Sequence, residues 1–250
     1  MRLKDLDTRM REREYVHSLT LLPGAWTVVR VDGRGFSSYT AGRFEKPFDR
    51  RFSDLMVGTA ETLLTELGGR YAYTESDEIS VVLDPAYDLF GREVEKLVSL
   101  GEHRDRRVHP LRRRTGLLRQ PCLDRDRRRG LIDYLSWRQA DAARCALNGW
   151  CYWTLRKEGT SQRQATRALE GTRISAKNEM LFARGINFNE VPAWQRRGVG
   201  LWWETYEKAG RDPVRSVDVT ATRRRVRIDR ELPMKAEYRE LVGRLICDGS

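Results

Sequence analysis

The amino-acid sequence predicts an α+β protein whose first hundred residues run β-α-β-β-α ahead of a mostly helical C-terminal half. Three observations predict this. An apolar, β-branched run from Trp26 to Val31 stops abruptly at Asp32-Gly33. Phe52, Leu55, Met56, Thr59, Leu63, Leu64 and Leu67 then recur at helical spacing. Two strand-like runs, Tyr71 to Tyr73 and Ile79 to Leu83, flank Glu75, Ser76, Asp77 and Glu78, the pattern of a β-hairpin with acids at its tip.

The remaining elements follow in order. Residues 1–24 read as an N-terminal helix or arm ending at Pro23-Gly24. Pro47 sits near the start of the first core helix, and Gly68-Gly69 stops it. Pro85 ends the hairpin. Phe90, Val94, Leu97 and Val98 continue as a second helix. A ferredoxin-like βαββαβ sheet needs one more strand, and residues 101–130 do not supply it. Their longest apolar run is two residues, Leu117-Leu118. From Leu131 a long helix runs to Gly159. Thr160 or Ser161 caps a shorter one through Leu169, closed by Gly171. Another helix covers 173–184, and GINFNEVPAWQRRG reads as an aromatic, basic loop. GVGLWWETYEK and residues 217–228 read as strands, and 233–247 as a final helix. The expected division is 1–130, a catalytic region with an anomalous segment at 101–130, and 131–250, a helical and aromatic-basic region packed on it.

Composition narrows the function classes. With 250 residues and 40% hydrophobic content the chain can bury a real core. No apolar run approaches the length of a membrane span, and the charged start MRLKDLDTRMREREY is not a secretory signal. Four cysteines without a CxxC pair and three histidines argue against a zinc site or a disulfide framework. The expected setting is cytoplasmic. A net charge of +11 favours a polyanionic partner such as RNA or DNA. Residues 102–130 alone hold eleven Arg against four acids, +7 of that total.

In a β-α-β-β unit the first strand lies beside the hairpin, so strand-end Asp32 meets the tip at Asp77. Two or three carboxylates so close are unfavourable without a cation. Mg²⁺ suits hard oxygen ligands and keeps a bound phosphate, and two such ions form the clamp of nucleotidyl transfer. Gly33, Arg34 and Gly35 put backbone amides and a guanidinium after the first carboxylate, and Ser76 offers a hydroxyl beside the second. Lys46, Arg92 and Lys96 are cations within plausible reach of phosphate oxygens.

VVRVDGRGF (28–36), ESDEISVV (75–82), DYLSWRQAD (133–141) and KNEMLFARGINFNEVPAWQRR (177–197) together resemble the tRNA-His guanylyltransferase family and its bacterial and archaeal relatives, the 3′-to-5′ RNA polymerases. The resemblance covers most of residues 5–100 and 131–245. It implies a polymerase-palm-like catalytic sheet, Mg²⁺, and ATP and GTP as substrates. A 5′-monophosphorylated tRNA end is activated with ATP, and the 3′-hydroxyl of an incoming nucleotide then attacks it. Carried over by position, the metal ligands are Asp32, the Gly33 carbonyl and Asp77. The nucleotide contacts are Asp32, Gly33, Arg34, Gly35, Phe36 and Ser37, then Ser76 and Asp77, with Lys46 and Lys96 at triphosphate-contacting positions. Glu78 is a supporting carboxylate with a catalytic role. Family members commonly form tetramers.

Asn148, Lys177, Asn178, Asn187, Asn189, Arg196 and Arg197, with Phe188 and Trp194, have the composition of a site that holds single-stranded RNA ends. Taken singly, Phe182 and Phe188 read as core residues. Two departures stand out. The eukaryotic G-adding enzymes carry His-Ile-Asn-Asn after WRQAD, whereas this chain reads Ala142-Ala143-Arg144-Cys145-Ala146-Leu147-Asn148, which favours the branch that resembles a templated repair enzyme for 5′-truncated tRNAs. Residues 101–130 lack the family's Phe-Asp-x-Arg strand. They read either as a product of compensating frame changes near 101 and 131 or as a diverged basic RNA-binding loop. A strand here would be the sheet edge beside the Asp32 strand. Rival functions are a palm-fold nucleotide cyclase, whose tip would read Gly-Gly-Asp-Glu-Phe, and a catalytically silent RNA-binding protein.

Overall fold

The computed structural model describes residues 7–10, 19–33, 35–103, 113–114, 127–211 and 217–247. Residues 7–10 are helical; most of the expected N-terminal arm lies outside the described residues. The first strand, β1 (Thr27–Gly33), leads through a short helix, α1 (Phe36–Thr40), to α2 (Arg50–Glu66). Asp49 caps α2, its carboxylate accepting from the Arg51 amide. The helix ends where the Gly68 and Gly69 amides donate to the Thr65 and Leu64 carbonyls. Then come β2 (Tyr71–Glu75) and β3 (Glu78–Leu83), a 3₁₀ turn at Leu89–Arg92, α3 (Val94–His103) and β4 (Arg113–Arg114).

The C-terminal half contains α4 (Arg127–Lys157), α5 (Gln162–Leu169), α6 (Ile174–Phe182), α7 (Ala193–Arg197), β5 (Val199–Arg211), β6 (Asp218–Asp229) and α8 (Lys235–Cys247). A full capping box at Ser161 and Gln164 starts α5, as expected. The segment expected to be a loop at 185–198 instead holds a 3₁₀ turn, Phe188–Glu190, and α7. A five-residue helix is too short to leave a periodic signature. Pro192 at its entry is the local sign of it.

The described strands join one antiparallel sheet in the order β4-β1-β3-β2-β5-β6. The short β4 pairs Arg114 with Asp32 and Arg113 with Gly33, so it occupies the edge expected for the missing strand, within the segment that gave no strand signal. One sheet face (Val29, Val31, Ala72, Ile79, Val81, Leu201) packs on Met56, Ala60, Leu63 and Leu64 of α2. The other (Val28, Tyr71, Tyr73, Val82, Trp202) packs on Leu131 and Leu135 of α4 and Tyr238, Val242 and Ile246 of α8. Each fully buried Leu or Val contributes roughly 1.5–3 kcal/mol. The far half of α4 leaves the sheet: Leu147, Cys151 and Leu155 bury against Ala165, Leu169 and Leu181 in a separate helical cluster. Among the described residues no helix is long and apolar enough to cross a membrane.

Candidate active site

The site forms at the sheet end where β1 stops and the β2–β3 turn begins. Asp32 lies opposite Glu78 in the β1–β3 register. The Gly33 amide donates to the Asp77 carbonyl at 3.1 Å. Two residues, Ser76 and Asp77, make the turn, and Ser76 holds φ 49°, the left-handed region that few non-glycine residues adopt. Its hydroxyl donates to the Asp77 carboxylate at 3.2 Å. Gly33 has no room for a side chain, because the Phe36 ring would lie 1.7 Å from a Cβ there. Gly35, at φ 77°, starts α1. Arg34 lies outside the described residues.

The carboxylates divide into two sets. Asp32 is 46% exposed, and Arg30 lies 3.4 Å from its carboxylate. Burial, then the charge of Asp32, raises the Asp77 carboxyl above its ordinary range. Glu78 is placed quite differently. It is buried, its two oxygens accept from Arg138 at 2.8 and 2.7 Å, and Arg30 lies 2.6 Å away. Arg138 also donates to Glu75 at 2.8 Å and to Asp141 at 3.2 Å. Burial pushes the Glu75 carboxyl up to about 8 against the pull of Arg138. So among the described residues Asp77 has no ion-pair partner and Asp32 has Arg30 at 3.4 Å, whereas Glu78 is already neutralised by two closer guanidinium groups.

A cavity of about 280 Å³ opens beside the turn. Ser76 and Asp77, Phe36 and Ser37, and Lys46 and Asp49 form one side; Cys145, Trp153 and Trp194 stand on the other. The Lys46 ammonium donates to the Thr40 hydroxyl at 2.6 Å and lies 5.8 Å from the Trp153 ring centroid. Burial lowers its pKa, with Asp77 pulling the other way. Phe36, Phe44 and Phe52 pack edge-to-face or tilted around the cavity floor.

Two expected cations point elsewhere. Lys96 pairs with Glu93 at 3.1 Å on α3 and is not among the cavity residues. Arg92 is a structural clamp: its guanidinium donates to the carbonyls of Leu21, Leu22, Pro85 and Tyr87. Of the expected RNA contacts, Lys177 and Asn148 come together at 2.9 Å across α6 and α4. Asn178 bonds its own helix. Asn187 accepts from the Asn189 amide and donates to Glu190. Arg196 donates to the Val191 carbonyl, and Arg197 to that of Leu232. Phe188 packs against the helical cluster, but Phe182 is 72% exposed rather than core. Sequence reasoning assigned no role to Arg30, Arg138, Asp49 or Trp153. Arg138 lies inside the WRQAD stretch, which was the available signal.

Comparison with known proteins places these residues in a family. The profile described as tRNAHis guanylyltransferase matches residues 7–102, and the one described as Thg1 C terminal domain matches 129–242. The two matches leave out 103–128, the heart of the Arg-rich segment. A probable tRNA(His) guanylyltransferase of Mus musculus is 34% identical over 81% of this chain and 74% of its own length. The tRNA(His) guanylyltransferase of Neurospora crassa is 37% identical over 72% of this chain and 67% of its own. Among solved structures, a bacterial tRNA(His) guanylyltransferase-like protein in complex with GTP superposes at TM-score 0.67, with 22% identity, over 97% of this chain and 99% of that one. The Saccharomyces cerevisiae tRNA(His) guanylyltransferase superposes at 0.59, with 27% identity, over 76% and 90%. The chain, with its ordered motifs, paired strand-end carboxylates and adjoining cavity, therefore belongs to the tRNA-His guanylyltransferase family, enzymes that transfer nucleotides.

Proposed function

We propose that this chain adds nucleotides in the 3′-to-5′ direction to the 5′ end of tRNA. ATP activates the end and GTP is the nucleotide added. The observation that carries the reading is the meeting of Asp32 and Asp77 beside a cavity that also holds Lys46. The strand order β4-β1-β3-β2 and its antiparallel pairing support a ferredoxin-like, polymerase-palm-like sheet. Phosphoryl transfer is mainly positioning and charge neutralisation, so such a site needs no nucleophilic side chain.

The donor set fits Mg²⁺: two carboxylates without a full cationic partner among the described residues, and the Gly33 carbonyl next to Asp32. Asp32, Asp77 and the Gly33 carbonyl would hold the ion or ions, which when bound supply charge neutralisation for phosphate oxygens. Lys46 stands where it offsets a triphosphate, and the Ser76 hydroxyl and the turn amides add donors. The aromatic lining keeps water from the reacting phosphates and gives a base a surface to rest on. Glu78 acts by position: held by Arg138 and Arg30, it fixes β1, β3 and the turn that carries Asp77. In the first step an oxygen of the 5′-phosphate attacks the α-phosphorus of ATP, and pyrophosphate leaves. In the second the GTP 3′-hydroxyl attacks the activated 5′-phosphorus, and AMP leaves.

Templated repair is favoured over untemplated G addition to tRNA-His. Where the G-adding enzymes carry His-Ile-Asn-Asn, the cavity wall here is small: Ala142, Cys145, Ala146 and Gly149. The compartment that goes with this reading is the cytoplasm, and the assembly a homotetramer. Family membership through both halves weighs against a cyclase. The test is Mg²⁺-dependent GTP incorporation at the 5′ end of a tRNA lacking its first nucleotide, with the opposing template base varied. Incorporation that follows the template supports the reading; incorporation of G whatever the template supports tRNA-His G addition; RNA binding without product leaves only a silent binder.

A further inference from the structure

The C-terminal strands outrun the sheet. β2 pairs with β5 only up to Trp202. From Glu204 to Arg211, β5 pairs with β6 alone among the described strands, and that ribbon reaches roughly 26 Å beyond its root. The root is fixed: Trp203 donates to the Gly69 carbonyl at 3.1 Å, and Val226 packs on the core.

Alternation along the strands sorts the charges onto two faces. Over the two strands the face shared with α4 carries Lys208, Arg223, Arg225 and Arg227 against Glu204 and Asp229, a net +2. The opposite face carries Arg211 and Arg224 against Glu207 and Asp218, a net of zero. Charges that only protect a free sheet edge from pairing need no preference of face. Arginines on both faces rest on rings: Arg225 4.9 Å over Tyr206 and Arg227 5.5 Å over Trp202 on the α4 side, Arg224 5.0 Å over Trp203 on the other. Glu204 lies between the first two, 2.6 Å from Arg225 and 3.5 Å from Arg227.

The position of this face relative to the cavity fits an extended polyanion. Val199, on the α2-facing side of the sheet, lines the cavity together with Ala142, Cys145 and Ala146 of α4, and β5 runs from there away from the Ser76–Asp77 turn. At about 3.3 Å per residue, Arg227 lies opposite a point ~10 Å along β5, Arg223 ~23 Å, and Lys208 sits ~30 Å out. A bound nucleotide cannot span that distance; a nucleic-acid stem whose end enters the cavity can.

We propose that the α4-side face of the ribbon, built from Lys208, Arg223, Arg225 and Arg227, binds the phosphate backbone of the RNA stem that continues from the 5′ end held in the cavity. The proposal rests on the reading of the cavity as an RNA-end site, and its test is a binding measurement that does not depend on turnover. Anisotropy of a labelled, 5′-monophosphorylated tRNA transcript is measured against the full chain from about 50 to about 200 mM salt. Removing one cation that neutralises a phosphate lowers the salt slope by up to about 0.9. The Arg223→Ala/Arg225→Ala/Arg227→Ala protein is expected to lower it by about 2–3 and to bind about tenfold more weakly near physiological salt. Arg224→Ala, on the other face, is expected to match the unaltered chain. Glu204→Gln releases Arg225 and Arg227 from their carboxylate and is expected to bind tighter, an improvement that a poorly folded protein does not give. A minihelix too short to reach Arg227 should not distinguish the variants. An unchanged slope in the triple variant, an equal loss in Arg224→Ala, or weaker binding by Glu204→Gln overturns the proposal. So does a triple variant that changes sedimentation but not RNA binding, since the face would then join copies of this chain. Wild-type RNA binding with this pattern but no Mg²⁺-dependent product would refute the enzymatic reading and leave the surface standing.

Discussion

Two acidic clusters made from the same short run of sequence, TESDE, meet opposite fates. Asp77, in the turn, faces Asp32 and has no guanidinium partner of its own among the described residues. Glu75 and Glu78, one residue to either side of the turn, are gripped by Arg138, whose side chain is only 5% exposed. Strand alternation sends Glu75 and Glu78 to the α4 face, where that helix delivers an arginine. The turn carries Asp77 off the strand to the cavity, where α4 presents Ala142, Cys145, Ala146 and Gly149 rather than an arginine. The comparison separates acids that await a cation from acids that already have one, which residue type alone does not do.

Breaking the first cluster should cost the most activity and the least stability. Asp77→Asn is expected to reduce 5′ incorporation by about 10³-fold, the scale of lost electrostatic stabilisation in a preorganised site. Its melting temperature without Mg²⁺ should equal or exceed that of the unaltered chain, because the repulsion from Asp32 is gone. Single-turnover kinetics and a thermal melt check both halves.

Breaking the second cluster should show the reverse order. Arg138→Ala takes the guanidinium from buried Glu75 and leaves Glu78 with Arg30 alone, a loss of about 3–5 kcal/mol measurable by urea unfolding. Asp141→Asn, on the exposed side of the same arginine, should cost less than about 1 kcal/mol.

Lys46→Ala sharpens the comparison within the cavity. It is expected to raise KM for the triphosphate about tenfold, equivalent to ~1.4 kcal/mol, with little change in folding. Smallest of all, Ser161→Ala removes the cap of α5, far from either cluster. It should cost about 1 kcal/mol of stability and leave incorporation unchanged.

What the sequence displayed and what it hid follow the same division. The approach of Asp32 to Asp77 was legible because both sit at strand ends and a two-residue turn leaves little freedom of register. The grip on Glu78 was not, because Arg138 is 60 residues away and only the placement of α4 across the sheet brings it in. Arg92 and Lys96 have the right charge for phosphate, but a cation's partner is set by geometry. Arg92 meets four backbone carbonyls and Lys96 a carboxylate on its own turn of chain. The β4 edge was invisible because Arg113 and Arg114 carry no apolar alternation. Its place beside β1 followed from topology alone. The family matches stop at 102 and resume at 129, so the segment that broke the sequence pattern also breaks the resemblance.

The most direct test of this division is metal affinity in the two clusters. Mn²⁺, a paramagnetic substitute for Mg²⁺, is titrated with GTP present and followed by electron paramagnetic resonance, alongside a thermal melt. Asp77→Asn is predicted to weaken Mn²⁺ binding by at least about tenfold with its melt unchanged or raised. Glu78→Gln is predicted to keep most of the Mn²⁺ affinity while melting earlier. Loss of Mn²⁺ in Glu78→Gln with an unchanged melt, and its retention in Asp77→Asn, would contradict the assignment of Asp32 and Asp77 as the metal-holding pair.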